Sequence, residues 1–215
     1  MGLDIYFYKL KKNENVTTDN ATNWSVISDE RDRQSREKLT KVYDRAILSL
    51  TKSTDYKTTY KRVIRQICKF SNYPHIEFHD LGVSKDYKKG VYSYDEKPIE
   101  VFLKEKNDIL KSHYAPYIAY FRKANFVYNY FSNKLIDEVA WVTKEDLEDL
   151  IDKCKRVLND HNLAEELLPT RAGFFFGSTD YDGWYFDDIK SCLEQMKKVL
   201  KGFADNELVY VVMSW

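Results

Sequence analysis

Asp180, Tyr181, Asp182 and Trp184 crowd into the stretch GFFFGSTDYDGWYFDD, residues 173–188. It reads as a strand, a turn and the start of a helix. Ligands often settle at such joints, because free N–H groups and the helix dipole favour anions. Here the joint itself is acidic. Asp180 or Asp182 would cap the helix, with Asp187 and Asp188 in its first turn, which accounts for the acids without a ligand. DYDG matches the start of a calcium loop, but the later oxygen ligands and closing Glu do not follow, so no metal is expected here. Tyr181, Trp184, Tyr185 and Phe186 are more aromatic rings than one capped turn can bury. Some of them must face outward or line a groove.

A second group lies in FRKANFVYN, residues 121–129. If residues 115–131 form one helix, Arg122, Asn125 and Asn129 stand at i, i+3 and i+7 on a shared face. A guanidinium and two carboxamides there could read a phosphate, a carboxylate or a backbone edge. The simpler expectation is that they hydrogen-bond a neighbouring loop, and the 180–188 acids are natural partners for Arg122. A third group is HIEFH, where His75, Glu77 and His79 would share one strand face with the geometry to hold zinc. No further ligand is evident, and neither a metal nor a cofactor is expected. P-loop, dinucleotide and nucleophile-elbow motifs are absent, so no reaction class can be named, although an enzyme is not excluded.

These groups need elements to position them. Residues 2–10 alternate as a strand, and 207–215 form another. Residues 11–34 are polar and read as a loop. Apolar stripes predict helices over 35–51, 57–70, 115–131, 143–159 and 184–203, the fourth capped by Thr143. Phe174–Phe176 reads as a short buried strand. Residues 72–110 are ambiguous, with strand-like HIEFH and KGVYSYD. Terminal strands with helices between them predict an α+β domain: one mixed or antiparallel sheet including both terminal strands, packed with about five helices.

The chain has 215 residues, 34 Lys and Arg, 34 Asp and Glu, and 17 Tyr. Zero net charge argues against a general nucleic-acid binder. Yet residues 31–70 hold 12 basic and 4 acidic residues, a local surplus of +8 suited to an acidic partner. Cys68, Cys154 and Cys192 are far apart and odd in number, so they read as buried thiols of a reducing compartment. No stretch approaches the ~20 apolar residues of a membrane span, and no membrane partner is expected.

MGLDIYFYKL, FRKANFVYNYF, LAEELLPTRAGFFFGSTDYDGWYFDDIK and the final strand ending in SW together resemble a family of uncharacterised phage- and prophage-encoded proteins. Members begin MGLDMYL and carry WRKANAIHxWF and GFFFGSTxYDxWY. The resemblance covers residues 1–10 and about 117–215. Phe121 stands where the family has Trp, and Tyr128 where it has His, so a role for that histidine does not transfer. The resemblance implies a phage origin and action in the cytoplasm of an infected bacterium, and it supplies no mechanism. It divides the chain into a core of residues 1–10 and 111–215 and an inserted, mainly helical, basic region, 11–110, packed on it. Together with the tyrosines and the missing catalytic motifs, it makes a non-enzymatic protein that binds a host protein, such as a component of antiviral defence, the leading expectation. The basic helices of 35–70 would supply one contact surface. One alternative is an enzyme or a small-ligand or nucleotide binder whose pocket lies between the RKAN segment and the GSTDYDGW loop, built from Arg122, Asn125, Asp180, Tyr181, Asp182 and Trp184. Another is a nucleic-acid-binding accessory protein using residues 31–70.

Overall fold

A computed structural model describes residues 2–14, 16, 24–70, 82–86, 91–111 and 117–215. In chain order these form β1 (Asp4–Lys11), α1 (Trp24–Thr51), α2 (Tyr56–Phe70), β2 (Val83–Asp86), β3 (Val91–Tyr94), α3 (Ile99–Lys111), β4 (Ala119–Arg122), α4 (Asn125–Phe131), β5 (Val139–Val142), α5 (Lys144–Asn159), α6 (Ala164–Leu167), α7 (Gly183–Lys201) and β6 (Glu207–Ser214). The fold is α+β. The chain divides into two compact units, Met1–Glu30 with Tyr117–Trp215, and Arg31–Pro116. Residues 11–30, expected in the inserted region, group with the first unit.

The first unit is built on a four-stranded antiparallel sheet ordered β4-β1-β6-β5. The two terminal strands pair along their whole length, from Asp4↔Ser214 to Lys11↔Glu207. Alternation then sets the faces. Leu3, Ile5 and Phe7 point one way with Val209, Val211 and Met213, and the apolar stripes of α5 and α7 cover them. Leu147, Leu150, Ile151, Cys154 and Val157 come from α5, and Ile189, Cys192, Met196 and Val199 from α7. Each large side chain sunk here contributes on the order of 1.5–3 kcal/mol of transfer free energy. On the other face Leu10, Leu208, Tyr210 and Val139 pack with Val16 and Ile27. In the second unit α1, α2 and α3 share a core of Leu39, Tyr43, Tyr60, Val63, Ile64, Ile67 and Phe102, and β2 pairs antiparallel with β3.

Three expectations fail. Residues 115–131 are not one helix. Ala119–Arg122 is a strand paired with β1, Lys123 turns the chain at φ 60°, and only Asn125–Phe131 is helical. AYFR alternates as well as it spirals: Ala119 and Phe121 are buried, while Arg122 is exposed. Phe174–Phe176 is not a buried strand. Phe176 N–H donates to Gly173 O at 3.2 Å, Phe175 sits at φ 73°, and Phe174 is 82% exposed. Three consecutive apolar residues carry no alternation to oppose a turn. The loop expected over 11–34 ends at Trp24, where α1 begins. The helical start of α1 has few apolar residues, but Ile27 is fully buried against the sheet cluster.

Candidate functional site

The segment 168–182 has almost no regular structure, so side chains must satisfy its backbone. Asn125, the first residue of α4 and only 3% exposed, does most of this. Its Nδ2 donates to Ser178 O at 2.8 Å and to Phe176 O at 3.4 Å, and its Oδ1 accepts from Arg171 N–H at 3.4 Å. One turn on, Asn129 Nδ2 donates to Pro169 O at 3.0 Å. Tyr185 Oη donates to Leu168 O at 2.8 Å, and Thr170 Oγ1 donates to Thr179 O at 2.9 Å. Backbone bonds tie the segment to the sheet: Leu3 N–H donates to Phe175 O, and Lys123 N–H to Leu3 O. Gly177 sits at φ 93°, a conformation that favours glycine, and a Cβ there would lie a tight 3.2 Å from Lys123 Cβ.

Asp182 caps α7, accepting Tyr185 N–H at 3.0 Å. Asp180 closes a small turn, accepting from Ser178 Oγ at 2.9 Å while its own N–H donates back to that oxygen. Inward anchors fix the aromatic residues between. Phe176 packs on Tyr128 and Trp215, with centroids 4.7 and 5.9 Å away, and Tyr185 on Phe126 at 5.6 Å. Against that frame Trp184 stands 81% exposed and Phe174 82% exposed, with Phe175 against Phe174 at 4.4 Å.

Between the β4 end and this loop lies a cavity of about 340 Å³, lined by Arg122, Lys123, Asn125, Asp180, Asp182, Trp184 and Asp188, among others. The structure therefore brings Arg122, Asn125, Asp180, Asp182 and Trp184 together, although Arg122 arrives from a strand and not from a helix face. Asn129 and Tyr181 do not line the cavity. Asn129 holds Pro169, and the Tyr181 hydroxyl accepts from Thr170 N–H at 3.3 Å, so both position the loop. Lys123, Asp188 and Phe174 were not among the site candidates of the sequence; Asp187 and Asp188, expected in the first turn of the helix, lie beyond it because α7 begins at Gly183. Lys123 sits inside the RKAN motif, and Asp188 lies one turn and a half beyond the cap.

Charges of both signs line this cavity without neutralising each other. Arg122 and Lys123 are exposed, and among the described residues neither forms an ion pair. Burial, then Asp187 and Asp182, push the Asp188 carboxyl above its ordinary value. Another cavity, of about 380 Å³ beside Trp141 and Phe203, differs: Lys144 pairs with Asp205, and Lys12 donates to Asp205 O at 3.2 Å. Among the described residues no group of three or more His, Cys, Asp or Glu side chains is placed to hold a metal ion. His75, Glu77 and His79 lie outside the described residues. Among the described residues no helix is long and apolar enough to cross a membrane.

No family model, no curated protein and no solved structure matches the chain.

Proposed function

We propose that this chain acts by binding, and that its target is a protein of an infected bacterial host, of the kind that serves antiviral defence. The observation that carries the proposal is the pair of outward rings, each more than four-fifths exposed: Phe174 on a loop tied down by side-chain hydrogen bonds, and Trp184 in the first turn of α7 that follows it. Large rings held in water on a rigid frame match the anchors that dominate protein interfaces. Pinning the loop in advance lowers the ordering cost of association. The sequence suggested the basic helices as the contact surface; the aromatic anchors favour the 173–188 loop instead. The test is affinity capture from infected-host lysate with wild type and a Phe174→Ala/Trp184→Ala double variant, read by mass spectrometry. A stoichiometric host protein held by wild type and lost by the variant supports the proposal. A set of captured proteins unchanged by the double variant sinks it.

The unpaired charges in the adjacent cavity favour a second reading, a small dipolar ligand held between Arg122 and Asp188. A thermal-shift screen with zwitterionic and nucleotide ligands tests it. A shift that Arg122→Ala abolishes supports it, and no shift from any of them counts against it.

A further inference from the structure

The second unit, residues 31–116, holds 19 Lys and Arg against 12 Asp and Glu, a net of +7, and the first unit holds 15 against 22, a net of −7. Within the second unit the acids of 31–70 are already engaged. Asp32 pairs with Arg31 at 2.8 Å, Glu37 with Lys41 at 2.6 Å and Arg33 at 3.4 Å, and Asp44 with Lys106 at 2.5 Å. Asp55 accepts Thr58 N–H at the start of α2, at 3.1 Å. Lys57, Lys61, Arg62 and Arg65 of α2 form no ion pair among the described residues. Lys57, Lys61 and Arg65 stand at i, i+4 and i+8, so about 6 Å separates successive charges along the axis. Arg62 shares their arc, opposite the buried Tyr60, Val63, Ile64 and Ile67.

The rest of that arc decides the partner. Among the described residues of the arc Lys61 is half-buried, and Thr58 and Gln66, both with hydrogen-bonding side chains, are exposed beside Lys57, Arg62 and Arg65. Protein contacts centre on Trp, Tyr or Arg anchors packed among apolar neighbours, and among the described residues this face places no exposed apolar side chain beside Arg62 and Arg65. A single-stranded nucleic acid is held by stacking on aromatic rings, and none is exposed among the described residues of this face. A duplex backbone asks only for spaced cations and neutral donors. We infer that the outer face of α2 binds the phosphate backbone of a nucleic-acid duplex without reading its sequence. This contact is separate from the aromatic loop, and the two stand or fall independently.

The experiment is fluorescence anisotropy of the full chain with labelled 30-base-pair DNA duplexes of two unrelated sequences. Both bind equally, and if four phosphates are neutralised the affinity falls about 150-fold between about 50 and about 200 mM salt. The triple reversal Lys57→Glu/Arg62→Glu/Arg65→Glu removes binding, and the milder Lys57→Gln/Arg62→Gln/Arg65→Gln weakens it and flattens the salt slope by about 2.7. The Gln variant decides the matter if the reversal unfolds the chain by circular dichroism. Reversal of exposed Lys155, Lys190 and Lys197 on α5 and α7 changes net charge equally and leaves binding intact. The inference is overturned if no binding occurs at the lowest salt, if the α5–α7 reversal weakens binding as much, or if polyglutamate competes as well as unlabelled duplex.

Discussion

Replacing Asn125 tests whether one carboxamide organises the candidate site. Its bond to Ser178 O, at 2.8 Å, lies at the optimum, and the two contacts at 3.4 Å are marginal. Asn125→Ala removes one good bond and two weak ones from a residue 3% exposed. Ser178 and Arg171 are exposed, so water can recover part of the loss. The expected cost is about 2 kcal/mol, or a Tm lower by roughly 6 °C for a chain of this size. Asn125→Asp discriminates better. It keeps the acceptor toward Arg171 but turns a carboxylate toward the carbonyls of Phe176 and Ser178. At pH 7 it should cost more than Ala. Burial and the facing carbonyls hold the new carboxyl above its ordinary range, so protonation favours the folded state. The deficit is therefore full above the folded pKa and shrinks as pH falls through it.

Tryptophan fluorescence in urea is the assay, because Trp24, Trp141, Trp184 and Trp215 all belong to the first unit and the second has none. The signal reports the unit that holds Asn125, even if the two units unfold separately. Wild-type stability for Asn125→Asp at pH 7, or a deficit that grows on acidification, would refute the assignment of Asn125 as the loop's anchor.

Three further outcomes follow from the same unit. Asp188→Asn should raise the urea midpoint at pH 7, because the raised carboxyl of Asp188 destabilises the fold when charged; the gain should vanish as pH falls below the ordinary carboxylate range. Thr143→Ala breaks the capping box of α5, in which Thr143 Oγ1 accepts Asp146 N–H at 3.1 Å and Asp146 Oδ2 accepts Thr143 N–H at 2.9 Å, and should cost about 1 kcal/mol in the same melt. Glu138→Gly should gain roughly 0.5 kcal/mol in that melt, since Glu138 holds φ 67° in the turn entering β5, and glycine relieves the left-handed strain at some cost in unfolded-state entropy.

Much of the frame was legible because several elements carry one unambiguous period. The stripes of α5 and α7 admit only a helix, and their caps, Thr143 and Asp182, are ordinary capping residues. The terminal strands alternate cleanly, and their pairing follows from burying Leu3, Ile5 and Phe7 beside Val209, Val211 and Met213. Residues 119–131 were not legible because Phe121, Ala124 and Phe131 satisfy a helical period across a strand and a helix. The turn between them falls on Lys123, with no Gly or Pro to announce it. The candidate site was half legible. Its acids and tryptophan lie in one short stretch, and the RKAN segment does meet them in one cavity. The exposure of Phe174 was hidden, because nothing local distinguishes a ring turned outward from its buried neighbour Phe176.

Net charge shows the same effect of averaging. A total of zero argued against a polyanionic partner, yet that total combines units of +7 and −7. Charges act over a screening length of about 8–10 Å in physiological salt, so a partner meets the local surplus and not the sum. The surplus matters only where it is free. On α1 several cations are engaged by Glu37 and Asp32, whereas the α2 cations have no such partner among the described residues. The same criterion marks the cavity of the first unit: among the described residues Arg122 and Lys123 stay unpaired in a unit with seven surplus acids, although Asp180, Asp182 and Asp188 line the same space. Opposite charges that share a cavity and do not pair are left for something else to satisfy. That places the two candidate contacts of this chain where its charges are unpaired, on α2 and beside the aromatic loop.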